Sequence, residues 1–368
     1  MTEGLNAEEI IQNTSIRLTE RDDRSLQTWF LHMILRLAGN HVGRPGKTYP
    51  VGSAQLKPPS STRKMCNVNQ RRVEDVWMYD LTLKYERSKV KKKEKGKTVH
   101  RIYYWAGGGW QSPPGTSHWR FLTALLNELP QATITLISYP LAPNSPAPTA
   151  FPHLLRLYNA IMKESAEKGE IVTLGGDSSG GEIVLCIPLE ALRQNIYAPK
   201  PHSIMAICPS VDLSRENPAI KEIQKHDPIL KVRFINETAS RWAGSWDRKD
   251  PRISPIYSEQ LSLFQRANIK VDGITAGYDL LGPDGILMRN KLAKNKVEGE
   301  WLHWEKMMHC WPLVKTYGIS PESEEAFQWM VNVLRRRVEE QISDVATAGE
   351  GNARKDKAKD DFGQGENV

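Results

Sequence analysis

The sequence predicts a single α/β domain with a mostly parallel central sheet and helices on both faces. From Val73 onward, short runs rich in β-branched residues alternate with longer, helix-length apolar runs, and such alternation is typical of a parallel sheet. The chain has 368 residues, of which 39% are hydrophobic and 25% are charged, as in ordinary globular proteins. Because the alternating segments extend over most of this length, one large domain is favoured over two small ones.

Each element is predicted from its local pattern: a strand from a short β-branched or aromatic run, a helix from a longer apolar run between turn residues. We expect strands at 73–86, 98–105, 132–139, 170–174, 203–208, 269–276 and 300–305. We expect helices at 26–38, 118–129, 150–164, 182–193, 285–295 and 322–343. The first two strands flank a lysine-rich run at 87–97, and we expect them to form a hairpin around it.

The turn between the strand at 170–174 and the helix after it reads Gly176-Asp177-Ser178-Ser179-Gly180-Gly181. A serine between two such glycines, after a strand and before a helix, has the layout of a nucleophile elbow. The alternative is an ordinary glycine-rich loop, and the flanking elements favour the elbow. Ser178 is therefore the candidate nucleophile.

A serine nucleophile also needs hydrogen-bond donors for the oxyanion and a base held by an acid. Donors are predicted in the loop Gly107-Gly108-Gly109, which follows a strand and can turn consecutive N–H groups towards one point. The acid and base should follow the serine in the order Asp, His. Asp279 ends one predicted strand and His309 follows another, so these two are the candidates.

Two nearby residues are the alternatives for these roles. We expect Asp284 to cap the helix at 285–295. His303 lies inside a predicted strand, where a histidine is usually a packing residue.

These motifs resemble the hormone-sensitive-lipase branch of the α/β-hydrolases, which includes steroid and arylacetamide deacetylases and many esterases. Ala106–Trp110 is similar to the H-G-G-G-(F/W) motif of that branch, Tyr139–Pro143 to Y-R-L-A-P, and Gly176–Gly181 to G-D-S-A-G-G. The resemblance implies an α/β-hydrolase fold with a helical cap. The turn around Asp279 resembles fungal members most, some of which deacylate secondary metabolites.

The same resemblance implies a catalytic triad of Ser178, Asp279 and His309. It implies an oxyanion hole from the N–H groups of Gly107, Gly108 and Ser179. Two positions depart from the pattern of the branch.

Ala106 stands where the branch usually has a histidine that braces the glycine loop. Glu182 stands where asparagine or histidine is more common. A carboxylate in the first turn of a helix suits the helix dipole, so we expect Glu182 to be structural rather than catalytic.

Three segments fall outside the regular alternation. Residues 1–70 are predicted to be an N-terminal cap segment and linker. Residues 71–343 are predicted to be the hydrolase domain, with a cap insertion at about 213–250. Residues 344–368 are predicted to be a disordered tail. The helix at 26–38 is too short to span a bilayer. We expect it to lie over the active site rather than on a membrane surface.

The net charge of +7 does not indicate a nucleic-acid partner. The run at 87–97 carries seven positive residues and one negative residue, so the rest of the chain is close to neutral. We expect a solvated loop there, with a membrane-surface or localisation role as the alternative.

The four cysteines, Cys66, Cys186, Cys208 and Cys310, show no disulfide or metal-ligand spacing. We therefore expect reduced thiols, no metal site and no cofactor. The acidic N-terminus has no apolar signal region, and we expect an intracellular, cytoplasmic protein without a transmembrane segment.

The predicted function is that of a serine carboxylesterase or deacetylase acting on a small, apolar ester, in a fungal secondary pathway by resemblance. Trp110 and Trp311 flank the site loops and are predicted to line the pocket, with core packing as the alternative. An amidase, lactonase or acyltransferase would use the same triad. A non-hydrolytic small-molecule receptor is a further alternative, since the plant gibberellin receptors of this branch have lost the catalytic histidine.

Overall fold

The computed structural model describes residues 15–38, 47–84 and 99–363. Its strands are β1 (Ile16–Arg21), β2 (Cys66–Val73), β3 (Val76–Leu83), β4 (His100–Trp105), β5 (Thr133–Ser138), β6 (Ile171–Asp177), β7 (Ser203–Ile207), β8 (Lys270–Tyr278) and β9 (Gly299–Met308). They form one sheet in the order β1-β9-β8-β7-β6-β4-β5-β3-β2. Parallel pairing joins the neighbours from β1 to β5, and antiparallel pairing joins β5, β3 and β2. The predicted α/β fold with a mostly parallel sheet is confirmed.

The helices fall between the strands, as the alternating pattern predicts. They are α1 (Leu26–Ala38), α2 (Ser60–Met65), α3 (Thr116–Glu128), α4 (Ala147–Glu167), α5 (Ser179–Gln194), α6 (Ala219–Ile223), α7 (Val232–Ala243), α8 (Ser262–Arg266), α9 (Gly282–Lys294) and α10 (Pro321–Gly363). Short 3₁₀ helices occur at Pro255–Tyr257 and Trp311–Tyr317.

Apolar side chains cover both faces of the sheet, and the central strands β4, β5, β6 and β7 are buried along their whole length. On one face they pack against α4 and α5, through residues such as Leu157 and Ile183. On the other face they pack against α3 and α10, through residues such as Leu125 and Phe327. Strands buried on both faces explain why their sequences read as nearly continuous apolar runs.

The strands β6, β8 and β9 run parallel and end at the same edge of the sheet. A register shift between Ala276 and Tyr278 breaks the pairing of β8 with β9 just before that edge. The segments that follow these strands carry the candidate nucleophile, acid and base. The fold therefore brings three residues distant in sequence to one place.

The predicted hairpin around the lysine-rich run was wrong. β3 forms its hairpin with β2, through Glu74 and Asp75, whose φ angles are positive (44° and 61°). Two consecutive positive φ angles are the geometry of a tight two-residue hairpin turn. On its other side β3 pairs with β5, so β4 lies one strand further in. The run at 87–97 itself lies outside the described residues.

The N-terminal segment contributes to the sheet as well as to the surface around it. β1 pairs in parallel with β9, which the sequence analysis missed because its side chains are mostly exposed and polar. α1 has the predicted bounds, and it lies beside the end of β8, where His32 faces Tyr278 with ring centroids 6.5 Å apart. Across the three described ranges, no helix is both long and apolar enough to cross a membrane.

α6 and α7 lie within the segment predicted as the cap insertion, and α7 packs against the glycine loop. A methyl group placed on Gly109 would come within 2.9 Å of the Thr238 methyl carbon on α7. The close approach of α7 therefore requires glycine at this position.

The last helix was predicted to end near Ser343, with a disordered tail after it. In the structure α10 continues to Gly363. The added residues include four alanines and three lysines and no proline, and alanine and lysine are favourable helix formers. Residues 364–368 lie outside the described part of the chain.

α10 is fixed to the sheet by a buried ion pair. The Arg337 guanidinium donates to both carboxylate oxygens of Asp272 on β8, at 2.6 and 3.0 Å, and both side chains are almost fully buried. This pair supports the strand that leads to Asp279.

Replacing Arg337 should therefore be costly. We expect Arg337→Ala to lower the free energy of unfolding by about 3–5 kcal/mol, because it leaves the Asp272 charge buried without a partner. Arg156→Ala is the matched control, since it removes an exposed pair with Glu74 and should cost about 1 kcal/mol or less. Urea unfolding of both variants checks this, and equal losses would contradict it.

Candidate active site

Ser178 lies at a sharp turn between β6 and α5. Its φ and ψ are 54° and −117°, a conformation that a non-glycine residue rarely adopts and that is typical of functional sites. The flanking glycines are required by contacts with the backbone. A Cβ on Gly176 would collide with the carbonyl of Gly180, and a Cβ on Gly180 would collide with the carbonyl of Trp105. The structure thus has the geometry of a nucleophile elbow.

The three residues predicted as a triad are joined by hydrogen bonds. The Ser178 hydroxyl lies 2.9 Å from Nε2 of His309, and Nδ1 of His309 lies 2.8 Å from Oδ2 of Asp279. His309 and Asp279 are both buried. Because Asp279 accepts the proton on Nδ1, the lone pair of Nε2 faces the serine hydroxyl.

The electrostatic surroundings favour a proton on His309. Burial alone would lower the pKa of its imidazole, but the carboxylate of Asp279 outweighs burial and raises the pKa above its ordinary value. Asp279 is itself held in place, since its Oδ1 accepts the N–H of Leu281. Asp227 supports the same turn by accepting the N–H of Leu280. Asp227 comes from the loop before α7, and the sequence analysis did not identify it.

In the glycine loop, one of the N–H groups predicted to bind the oxyanion has another partner. The N–H of Gly107 donates to Oδ1 of Asp177 at 3.0 Å, so it does not point to the serine. The N–H groups of Gly108, Gly109 and Ser179 have no acceptor among the described residues. Gly108 has a φ of +140° and Gly109 of +59°, which lets the loop turn between them. The free donors are therefore those of Gly108, Gly109 and Ser179.

Asp177 braces this loop, a role that the sequence did not reveal. Besides the N–H of Gly107, its carboxylate accepts the Tyr104 hydroxyl at 2.8 Å and lies 3.4 Å from Nε2 of His118. Burial would raise the pKa of Asp177, but His118 and the other donors keep it below its ordinary value. Ala106, in the place of the usual histidine, is buried, and its carbonyl accepts the Tyr139 hydroxyl. The polar bracing of the loop thus comes from Asp177, together with the Tyr139 hydroxyl on Ala106.

Glu182 lies one turn into α5 and is fully buried. Its carboxyl accepts the indole N–H of Trp110 at 3.0 Å. Burial raises its pKa to about 8, so the neutral acid is the main form at pH 7. These contacts favour the expected structural role, and the raised pKa weakens the expected contribution of a charged carboxylate to the helix dipole.

The two tryptophans predicted to line the pocket are both buried, with 1% of each exposed. Trp110 stacks on Trp242 of α7, with ring centroids 5.8 Å apart. Trp311 packs edge-on against Trp304 within the core. These contacts favour the core-packing alternative for both indoles.

The other residues weighed from sequence have structural partners. Asp284 lies inside the first turn of α9 and accepts a hydrogen bond from Asn217, so its predicted role as helix cap was wrong. His303 lies within β9 and is buried, with Nδ1 3.0 Å from the Thr275 hydroxyl.

One metal-ligand group appears that the sequence spacing did not indicate. The ligand atoms of Cys208, His309 and Cys310 all lie within 4.8 Å of one another. Cys208 ends the β7 segment and is distant in sequence from the other two, so only the fold brings them together. All four cysteines of the chain are free thiols.

The raised pKa of Glu182 predicts how stability changes with pH. The folded chain binds this proton more tightly than the unfolded chain does, so wild-type stability should fall as pH rises from about 5 to about 8. Glu182→Gln keeps an acceptor for Trp110 but cannot ionise. Its stability relative to wild type should therefore rise by up to about 1.4 kcal/mol per pH unit in this window.

Glu190→Gln, on the same helix, is the control. Glu190 is paired with Arg193 and its pKa is lowered, so its variant should show no rise above pH 5. Denaturant unfolding at several pH values measures both, and a flat difference for Glu182→Gln would show that the site carries a carboxylate.

Comparison with known proteins supports the fold and its family. The model of the α/β-hydrolase fold family matches residues 102–313. The chain is 24% identical to an acetyl-hydrolase of Streptomyces hygroscopicus over 227 residues, which are 62% of this chain and 72% of the relative. It is 24% identical to an esterase of Acinetobacter venetianus, over 45% of this chain and 54% of the relative. It is 30% identical to human hormone-sensitive lipase, over 39% of this chain and 13% of that protein.

Solved structures show the same fold at lower identity. A hormone-sensitive lipase from a metagenome library superposes with a TM-score of 0.67 at 19% identity, covering 86% of this chain and 100% of that chain. An esterase/lipase from an uncultured bacterium gives a TM-score of 0.66 at 22% identity, covering 85% and 99%. The chain belongs to the α/β-hydrolase fold family and, within it, is similar to hormone-sensitive lipases and acetyl-hydrolases.

Proposed function

We propose that this protein is a serine hydrolase that cleaves the carboxylic ester of a small, apolar molecule through an acyl-enzyme. The observation that carries the proposal is the continuous hydrogen-bonded line from Asp279 through His309 to Ser178. The relatives named as an esterase and an acetyl-hydrolase support the same reaction and favour a short acyl group such as acetyl.

In the first half-reaction, Nε2 of His309 takes the hydroxyl proton of Ser178 while the serine oxygen attacks the ester carbonyl. The negative charge on the carbonyl oxygen is stabilised by the free N–H groups of Gly108, Gly109 and Ser179, in place of the Gly107 donor first expected. Each such donor is worth about a hundred- to a thousandfold in rate. The alcohol leaves with the proton from His309, and the acyl group stays on Ser178.

In the second half-reaction, His309 takes a proton from water, and the resulting hydroxide attacks the acyl-enzyme. The acid is released when Ser178 recovers its proton from His309. Asp279 holds the imidazole in one tautomer and stabilises its positive charge in both steps. No metal or cofactor takes part in these steps.

The sequence left open other reactions on the same triad and a binding protein, and the geometry of the site counts against only the binding protein. Amide cleavage, lactone opening and acyl transfer to an alcohol would use the same triad, and a comparison of acceptors and leaving groups distinguishes them. A binding protein without catalysis has no need of an aligned acid and base, so the positions of His309 and Asp279 count against it. The similarity to fungal proteins and a place in secondary metabolism remain predictions, because the relatives compared above are bacterial and human.

The two adjacent serines of the elbow allow a matched test of the nucleophile. We expect Ser178→Ala to lower kcat for p-nitrophenyl acetate on the order of 10⁴-fold or more, because no hydroxyl remains for attack. Ser179→Ala keeps the backbone N–H and should remain active. Steady-state kinetics with the acetate, butyrate and octanoate esters measures both. Full activity of Ser178→Ala would refute the mechanism.

The role of Asp279 predicts a loss in kcat rather than in binding. Asp279→Asn should lower kcat on the order of 10³–10⁴-fold, because the amide favours the wrong tautomer of His309. KM should change little, since Asp279 is buried behind the imidazole. A large rise in KM with normal kcat would show instead that Asp279 shapes the substrate pocket.

A further inference from the structure

Two cysteines lie beside the catalytic histidine, and the mechanism uses neither of them. Sγ of Cys310 lies 3.4 Å from Nε2 of His309, and Sγ of Cys208 accepts the N–H of Cys310 at 3.4 Å. The two sulfur atoms and the imidazole nitrogen are all within 4.8 Å of one another. With Zn–S bonds of about 2.3 Å and Zn–N bonds of about 2.0 Å, the edges of a tetrahedral site are about 3.5–3.8 Å. The distance between Sγ of Cys310 and Nε2 of His309 already matches such an edge. Side-chain rotations of Cys208 and Cys310 can bring the two distances that involve Sγ of Cys208 to the same length.

The imidazole is oriented as in known zinc sites. A histidine that binds zinc usually donates its second N–H to a carboxylate, which fixes the tautomer and strengthens the ligand. Asp279 accepts the Nδ1–H of His309 at 2.8 Å and provides this support. The contact that prepares Nε2 to accept the serine proton therefore also prepares it to bind a metal ion.

Both cysteines have an unusual backbone conformation. Cys208 and Cys310 both have positive φ angles, 44° and 51°, which non-glycine residues seldom adopt without a local reason. Cys208 is buried, whereas Cys310 is partly exposed. The hydroxyl of Ser178 lies 2.9 Å from Nε2, the nitrogen that would bind the ion.

We propose that Cys208, Cys310 and His309 form a binding site for a thiophilic divalent cation, Zn²⁺ above all, and that the bound cation inhibits the enzyme. The cation displaces the protons of both thiols to the solvent, and the two thiolates balance its charge. It also occupies the Nε2 lone pair, so His309 cannot accept the proton of Ser178. The binding step is independent of the reaction proposed above, whereas the inhibition rests on it.

Binding is tested directly with Cd²⁺, because cadmium–thiolate bonds absorb in the ultraviolet. Titration of the full chain should give a thiolate absorption that saturates at one ion per chain, in the wild type and equally in Ser178→Ala. The second variant has no esterase activity, so binding is measured separately from the proposed function. No thiolate absorption in the folded wild type would overturn the site.

Inhibition is tested with Zn²⁺ and each variant is compared with its own metal-free rate. Cys208→Ala and Cys310→Ala should each raise the inhibitory Zn²⁺ concentration by at least about tenfold, since one of three ligands is lost. Cys66→Ala is the control, because Cys66 is also buried and free but lies on β2, outside the site. Its inhibition should match that of the wild type, and EDTA should restore activity.

Two outcomes would contradict the proposal even if a cysteine variant folded poorly. Equal Zn²⁺ sensitivity of the wild type and the folded cysteine variants would show that the ion acts elsewhere. A crystal structure of the wild type soaked in Cd²⁺ should show anomalous density between Cys208, His309 and Cys310. Cadmium bound only at other positions would refute the assignment without the use of any variant.

Discussion

The hydrogen bond between Asp279 and His309 is the interaction on which the rest of the site depends. It fixes which imidazole nitrogen carries a proton, and so decides that Nε2 faces the hydroxyl of Ser178. The bond exists because β8 and β9 are parallel neighbours that end at the same edge of the sheet. Two further hydrogen bonds hold this geometry. The N–H of Leu281 donates to Asp279, and the N–H of Leu280, the next residue of the turn, donates to Asp227. The same orientation makes His309 a suitable ligand for a metal ion.

The loop opposite the serine is braced through Asp177, the residue next to the nucleophile. Its carboxylate connects the N–H of Gly107 with Tyr104 and His118. Ala106 stands where the sequence pattern described above has a histidine. Here a carboxylate on β6 and a histidine on α3 hold the loop, and the N–H groups of the next two glycines remain available to the proposed oxyanion.

The features that could be predicted from the sequence are those that depend on a local pattern. The elbow at Ser178, the bounds of the helix at Leu26–Ala38 and the candidate pair Asp279 and His309 all follow from spacing and flanking elements. The sequence could not predict partners that only the fold brings together. The hydrogen bond from Gly107 to Asp177, the pairing of β3 with β5 and the approach of Cys208 to His309 each join segments that are distant in sequence. The sequence also did not reveal the burial of Glu182, Trp110 and Trp311, each of which is 1% exposed.

The nucleophile is identified most directly by locating the acyl group during turnover. The wild type would be mixed with p-nitrophenyl acetate, quenched in acid within the first turnover, digested and analysed by tandem mass spectrometry. We predict an acetyl group on Ser178, with neither Ser179 nor Cys310 modified. Acetylation of Cys310, or turnover without any acylated residue, would contradict a serine mechanism at this elbow.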